Sequence, residues 1–148
     1  MRRAPSASTA IVVFIVYVAV VAGMWAVFGV DYDAVAESTT TVLEAVVYPI
    51  GFGALVLVAA ATWLGWWRPS LVEPEGLRLR SRWGWAATAV LAISIGLSVV
   101  TLDFGGLDGS FIAALAVGTL LVGFSEEMLT RGVGIVGARG SMSERWVW

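Results

Sequence analysis

The sequence predicts an all-α fold, a polytopic transmembrane helix bundle of about four spans with its N-terminus in the cytoplasm. Three observations predict it. The chain has 148 residues, is 59% apolar and 14% charged, and has a mean hydropathy of +0.87, whereas soluble domains carry roughly 25% charged residues. Its apolar residues gather into runs near the length of about 20 residues that a membrane-crossing helix needs. Its arginines alternate with those runs. Arg2 and Arg3 precede the first, Arg68, Arg78, Arg80 and Arg82 separate the second from the third, and Arg139 and Arg145 follow the fourth, while the other two loops have none. The positive-inside rule then places the N-terminus and the second loop in the cytoplasm.

Composition also excludes several functions. The length allows one membrane domain over 1–148 and no separate soluble domain. A net charge of −2 offers no basic surface for nucleic acid. The absence of cysteine excludes disulfides, thiolate metal sites and cysteine catalysis, and the absence of histidine removes the commonest metal ligand and general base.

The first span is expected at 11–30, a run without charge after a short basic start. It is longer than the usual ~7–15-residue apolar region of a signal peptide and ends without a clear small-x-small cleavage site. It therefore reads as a retained helix. Asp31, Asp33 and Glu37 make the loop after it acidic. The second span is expected at 42–67. Thr41 and Glu44 have capping-box spacing, so Glu44 reads as a helix-start residue rather than a catalytic acid. Pro49, Gly51 and Gly53 predict a bend or the close approach of a neighbour. Trp63, Trp66 and Trp67 suit an interfacial belt. Residues 68–82 form the longest polar segment and read as a cytoplasmic loop anchored by arginines. The third span is expected at 86–102, and Asp103, Asp108 and glycines form the loop that follows. Asp108 or Ser110 is placed to cap a fourth helix over 111–138.

The fourth span carries the chemistry. Glu126, Glu127 and Arg131 stand within an apolar run. Each such charge at the centre of a spanning helix costs about 2.5–3.5 kcal/mol, so intramembrane charges are expected to pair, face a bundle interior or do chemistry. Glu127 lies four residues before Arg131, the favourable order for an intrahelical ion pair. On regular helical spacing Thr119, Gly123, Glu126, Thr130, Gly134 and Gly137 share one face, small or polar apart from Glu126. Val117, Leu121, Phe124, Met128 and Ile135 share the opposite, apolar face. The expectation is that Glu126 points into the bundle, where desolvation suits it to general-base work, and that the bulky residues face lipid. The Gly-rich side is also a candidate surface for helix–helix self-association.

Glu126-Glu127-Met128-Leu129-Thr130-Arg131-Gly132 reads E-E-x-x-x-R-G. This resembles the first motif of the CPBP family of intramembrane proteases, also called the CAAX amino-terminal protease or Abi family. The resemblance implies a helical bundle that cleaves peptides or membrane-associated protein termini at a site open to the cytoplasm. It implies that Glu126 activates the attacking water and that Glu127 and Arg131 support it. It also implies two later motifs, F-x-x-x-H and H-x-x-x-N or H-x-x-x-D, whose histidines complete the site. Whether the complete family site holds a divalent metal or works through glutamate alone is left open; in this chain Glu126 is the one candidate ligand.

Neither later motif is present. Gly140 suits a helix-ending position, Ser141 and Glu144 have capping-box spacing, and Trp146-Val147-Trp148 opens a new apolar run. The chain is therefore expected to be the N-terminal part of such a protease, interrupted at a fifth helix over 144–148 and without activity by itself. The alternatives are a non-catalytic four-helix membrane protein, such as an immunity or assembly factor, and a small transporter using Glu126 for protons. The expected location is a bacterial plasma membrane, with the lipid bilayer and a peptide or protein substrate as partners.

Overall fold

The computed structural model describes residues 4–31, 33–35, 37–72, 89, 90, 93, 94, 97, 100 and 108–143. The chain divides into two compact units, one of Met1–Val72 with Ser110–Trp148 and one of Glu73–Gly109. The described residues are all-helical, without strands. Among the described residues three helices are long and apolar enough to cross a membrane: α1 (Ala7–Phe28), α2 (Thr39–Leu64) and α4 (Gly109–Arg139), with a short α3 (Trp67–Leu71) after α2. Residues 89, 90, 93, 94, 97 and 100 are helical; the rest of the span expected at 86–102 and the helix start at 144–148 lie outside the described residues.

α1 starts on Ser6, whose Oγ accepts from the Thr9 N–H, and stops at Gly29, whose φ of 60° is a left-handed conformation that glycine adopts without a Cβ clash. α2 starts three residues before its expected position. Its capping box is built by Ser38 and Thr41, each side chain accepting from the other's backbone N–H, and not by Thr41 and Glu44. A hydroxyl one helical turn earlier completes the same reciprocal pair, and Glu44 is left on the first π turn. With Asp31 and Thr41 it lines a cavity of about 160 Å³ beside the end of α1.

Proline explains the join between α1 and α2. Pro49 has no N–H, so the Ala45 carbonyl loses its regular i+4 donor. The backbone bonds of Leu43–Val47 widen to π closure, with the Tyr48 N–H donating to the Leu43 carbonyl. The Trp25 indole N–H then donates to the Ala45 carbonyl at 2.7 Å. Four residues on, Gly53 faces α1, and a Cβ there would come within 2.5 Å of the Tyr17 ring. The close approach expected of Gly51 and Gly53 is found: Gly53 receives α1, and Gly51 receives Leu121 of α4.

α2 ends at Gly65, with φ 69°, and the Trp66 N–H folds back onto the Ala61 carbonyl. That reversal draws Trp66 into the core at 1% exposure, while Trp63 remains 66% exposed. Trp66 is therefore a packing residue and not part of the expected belt. The core joins Ala10 and Val13 of α1, Leu57, Ala61 and Leu64 of α2, Trp66, and Met128, Val133 and Val136 of α4.

The contacts set the helix directions. The Thr39 and Ser110 hydroxyls are hydrogen bonded at 3.0 Å, Gly118 lies against Val46, and Gly132 lies against Ser70. α2 and α4 therefore run parallel. Gly137 lies against Ala10 and Ser6, so α4 runs antiparallel to α1. The first unit thus places Val72 and Ser110 near opposite ends of the same helices. α4 ends at Gly140, whose φ of −73° is right-handed and not the left-handed form expected there. The Ser141 hydroxyl instead accepts from the Ala7 N–H at 2.9 Å, tying this end to the start of α1.

Candidate functional site

The candidate site lies on α4 between the levels of Gly51 and Ser70, which meet Leu121 and Gly132 respectively. The helix is regular from Gly109 to Glu127, π-helical over Met128–Ile135 and α-helical again over Val136–Arg139. Ser70 of α3 donates its hydroxyl to the Gly132 carbonyl at 2.9 Å, within the π segment. Glu126 and Glu127 are thus the last residues before the helix changes its closure.

The expected ion pair is present. Arg131 Nη1 stands 2.9 Å from Glu127 Oε1, with the two side chains 63% and 59% exposed. Glu126 has no ion-pair partner among the described residues. Its backbone carbonyl accepts the Thr130 hydroxyl at 2.7 Å. The three charged residues named by the sequence therefore stand together on consecutive turns, with one carboxylate neutralised and one not.

Their facing differs from expectation. Glu126 is exposed on the surface of its unit, and so are Thr119, Gly123 and Thr130. The buried residues are Ala114, Gly118, Ser125, Met128, Gly132, Val133, Val136 and Gly137. Met128, expected on the lipid face, is a core residue at 3% exposure. The physical reason is the π segment. Glu126 and Gly137 are eleven residues apart and share a face in an unbroken helix, but an i→i−5 closure takes in an extra residue. That displaces the two by about 100°, so that Ser125 and not Glu126 lines up with Gly137.

Ser125 is the residue that sequence reasoning missed. It is 1% exposed, and its hydroxyl has no hydrogen-bond partner among the described residues. The one sequence signal near it is the pair Gly132 and Gly134, weak helix formers of the kind found at helix irregularities. The glycines of α4 are largely occupied within the chain: Gly118 by Val46, Gly132 by Ser70 and Met128, and Gly137 by α1. Gly123 alone of the expected stripe has open space beside it.

The described residues do not make a metal centre. No three carboxylates converge among the described residues, and one of the two on this face is held by Arg131. What the arrangement offers is a carboxylate without an ion-pair partner among the described residues, beside a neutralised pair. Comparison with family models, with curated proteins and with solved structures finds no match to this chain.

Proposed function

We propose that the chain is the carboxylate-bearing part of an intramembrane endopeptidase of the CPBP type. The observation that carries the reading is the division between the two glutamates: Glu127 is paired with Arg131 at 2.9 Å, and Glu126 has no cation among the described residues. A pair that neutralises itself lowers the cost of placing charge at membrane depth and leaves its neighbour available. The E-E-x-x-x-R-G motif supports the same assignment of roles.

In this reading Glu126 accepts a proton from water as the oxygen attacks the scissile carbonyl carbon. The C–N bond then breaks and the proton passes to the leaving amine. Glu127 and Arg131 act as positioning residues, holding the helix surface around Glu126. The oxyanion needs donors, and Arg131 already serves Glu127. Such donors are what the histidine motifs implied by the resemblance would supply. The exposure of Glu126 supports this, because an unpaired carboxylate facing lipid is costly and calls for a further polar element against it. The arginine distribution supports a cytoplasmic N-terminus, and so a site open to that side.

The test is cleavage of membrane-associated peptides by the chain in liposomes, alone and together with the polypeptide encoded downstream. We expect turnover only from the combination, abolished by Glu126→Gln. Turnover by the combination that Glu126→Gln leaves unchanged would overturn the reading. A second reading, a non-catalytic membrane protein of the immunity or assembly type, is favoured by the absence of histidine. It predicts that function in cells survives Glu126→Gln.

A further inference from the structure

α4 is held at two places by glycines. Near its start Gly118 lies on α2, where a Cβ would stand 3.7 Å from the Val46 Cβ. Near its end Gly137 lies on α1, where a Cβ would stand 2.5 Å from the Ala10 Cβ. Between them the π segment holds one residue more than a regular helix of the same number of turns. One residue is about 100° of rotation, so everything before the segment is turned by one position relative to everything after it. Ser125 occupies the place that Glu126 would take in an unbroken helix.

Three observations agree with this. Ser125 is 1% exposed while Glu126 is exposed. The Ser125 hydroxyl has no partner among the described residues, whereas those of Thr119 and Thr130 bond back to carbonyls four residues earlier. The polar stripe from Thr119 to Gly137 lines up only in the unbroken register. Gly134 is the residue that allows the broken one. A Cβ there would come within 2.9 Å of the Leu129 carbonyl oxygen, five residues back. That oxygen belongs to the backbone and cannot swing aside as a side chain would.

We propose that the π segment is a phase insert and that Gly134 is the positioning residue that maintains it, turning Glu126 out of the core and seating Ser125 there. The consequence for catalysis rests on the reading of Glu126 as the working carboxylate. The facing of residue 126 does not, and it is measurable without any activity. When the insert is lost, the part before it turns, because Val136 in the core and Gly137 against Ala10 fasten the later part.

The chain contains no cysteine, so introduced pairs report cleanly. A Cβ separation of 3.7 Å between positions 46 and 118 lies within the disulfide range of about 3.5–4.5 Å. In the full chain in liposomes, Val46→Cys with Gly118→Cys is expected to cross-link on oxidation, and Val46→Cys with Thr119→Cys is not. With Gly134→Ala, or with Gly134 deleted, the cross-link is expected to shift by one residue, from 118 to 119. A nitroxide at position 126 then becomes protected and one at 125 exposed. A cross-link that stays at 118 in both variants, or that disappears from both positions, overturns the proposal. So does a nitroxide pattern that does not move.

Discussion

Arg131 and Glu127 are joined at 2.9 Å across one turn of an otherwise apolar helix, and this bond makes Glu126 the odd charge of the three. Each partner is exposed on its unit, so in water the bond would contribute little, about 0.2–1 kcal/mol. At membrane depth its role is different, because it removes a lone charge from an apolar setting. Glu127→Gln and Arg131→Gln are each expected to hinder insertion, and the double substitution less than the sum of the two. An insertion assay reads this directly, against a scale of about 2.5–3.5 kcal/mol for a lone charge at a helix centre. Additive effects would show that the pair is not formed in the bilayer.

The Trp25 indole and the Ala45 carbonyl give a second prediction. The carbonyl is available because Pro49 cannot donate to it, and Trp25 occupies it at 2.7 Å. Trp25→Phe leaves that carbonyl unpaired in an apolar bundle, at an expected cost of about 1–3 kcal/mol. In a Pro49→Ala background the helix supplies its own donor, and the cost of Trp25→Phe is expected to fall. Denaturation of the four chains in detergent closes the cycle.

Gly53 gives a third. A methyl group there would reach the Tyr17 ring and Val21, at 2.5 and 3.0 Å. Gly53→Ala is expected to destabilise the bundle by about 1–3 kcal/mol, the usual cost of overpacking. Tyr17→Ala in the same chain restores the space and is expected to recover part of the loss. Gly23 and Gly109, which have no atoms within reach of a Cβ, serve as tolerant controls.

Ser125 gives a prediction of the opposite sign. Its hydroxyl is buried and unpartnered among the described residues, and a group in that condition costs about 1–3 kcal/mol. Ser125→Ala removes the group and keeps the volume almost unchanged. The variant is expected to be more stable than the parent by about 1 kcal/mol, read as a higher midpoint in thermal or denaturant unfolding. A loss of stability would show that the hydroxyl has a partner in the membrane.

Much of the fold was legible in the sequence because spans are set by length and apolarity, and those are properties of runs. α1, α2 and α4 fall within a few residues of their expected positions. The Arg131–Glu127 pair was legible because i, i+4 spacing within one helix needs no tertiary information. The facing of α4 was not legible. A face is read by assuming 3.6 residues per turn, and one extra residue between Glu126 and Gly137 cancels that assumption. The position of Trp66 was hidden for a related reason. It depends on the left-handed turn at Gly65, which sends an aromatic residue from the interface into the core. The cap at Ser38 was open to view in Ser38-Thr39-Thr40-Thr41, but the Glu44 carboxylate suggested a box one turn too late.

The proposed function places Glu126 in a protease site that histidine motifs complete, and the reading frame past the Trp148 codon tests it most directly. The proposal predicts F-x-x-x-H about 30–40 residues beyond Glu126, the spacing that the resemblance implies with room for one helical turnaround at about 1.5 Å per residue, followed by a second histidine motif. A stop codon with neither motif downstream would contradict it, and Glu126 would then stand as a structural charge on the surface of a helical membrane protein.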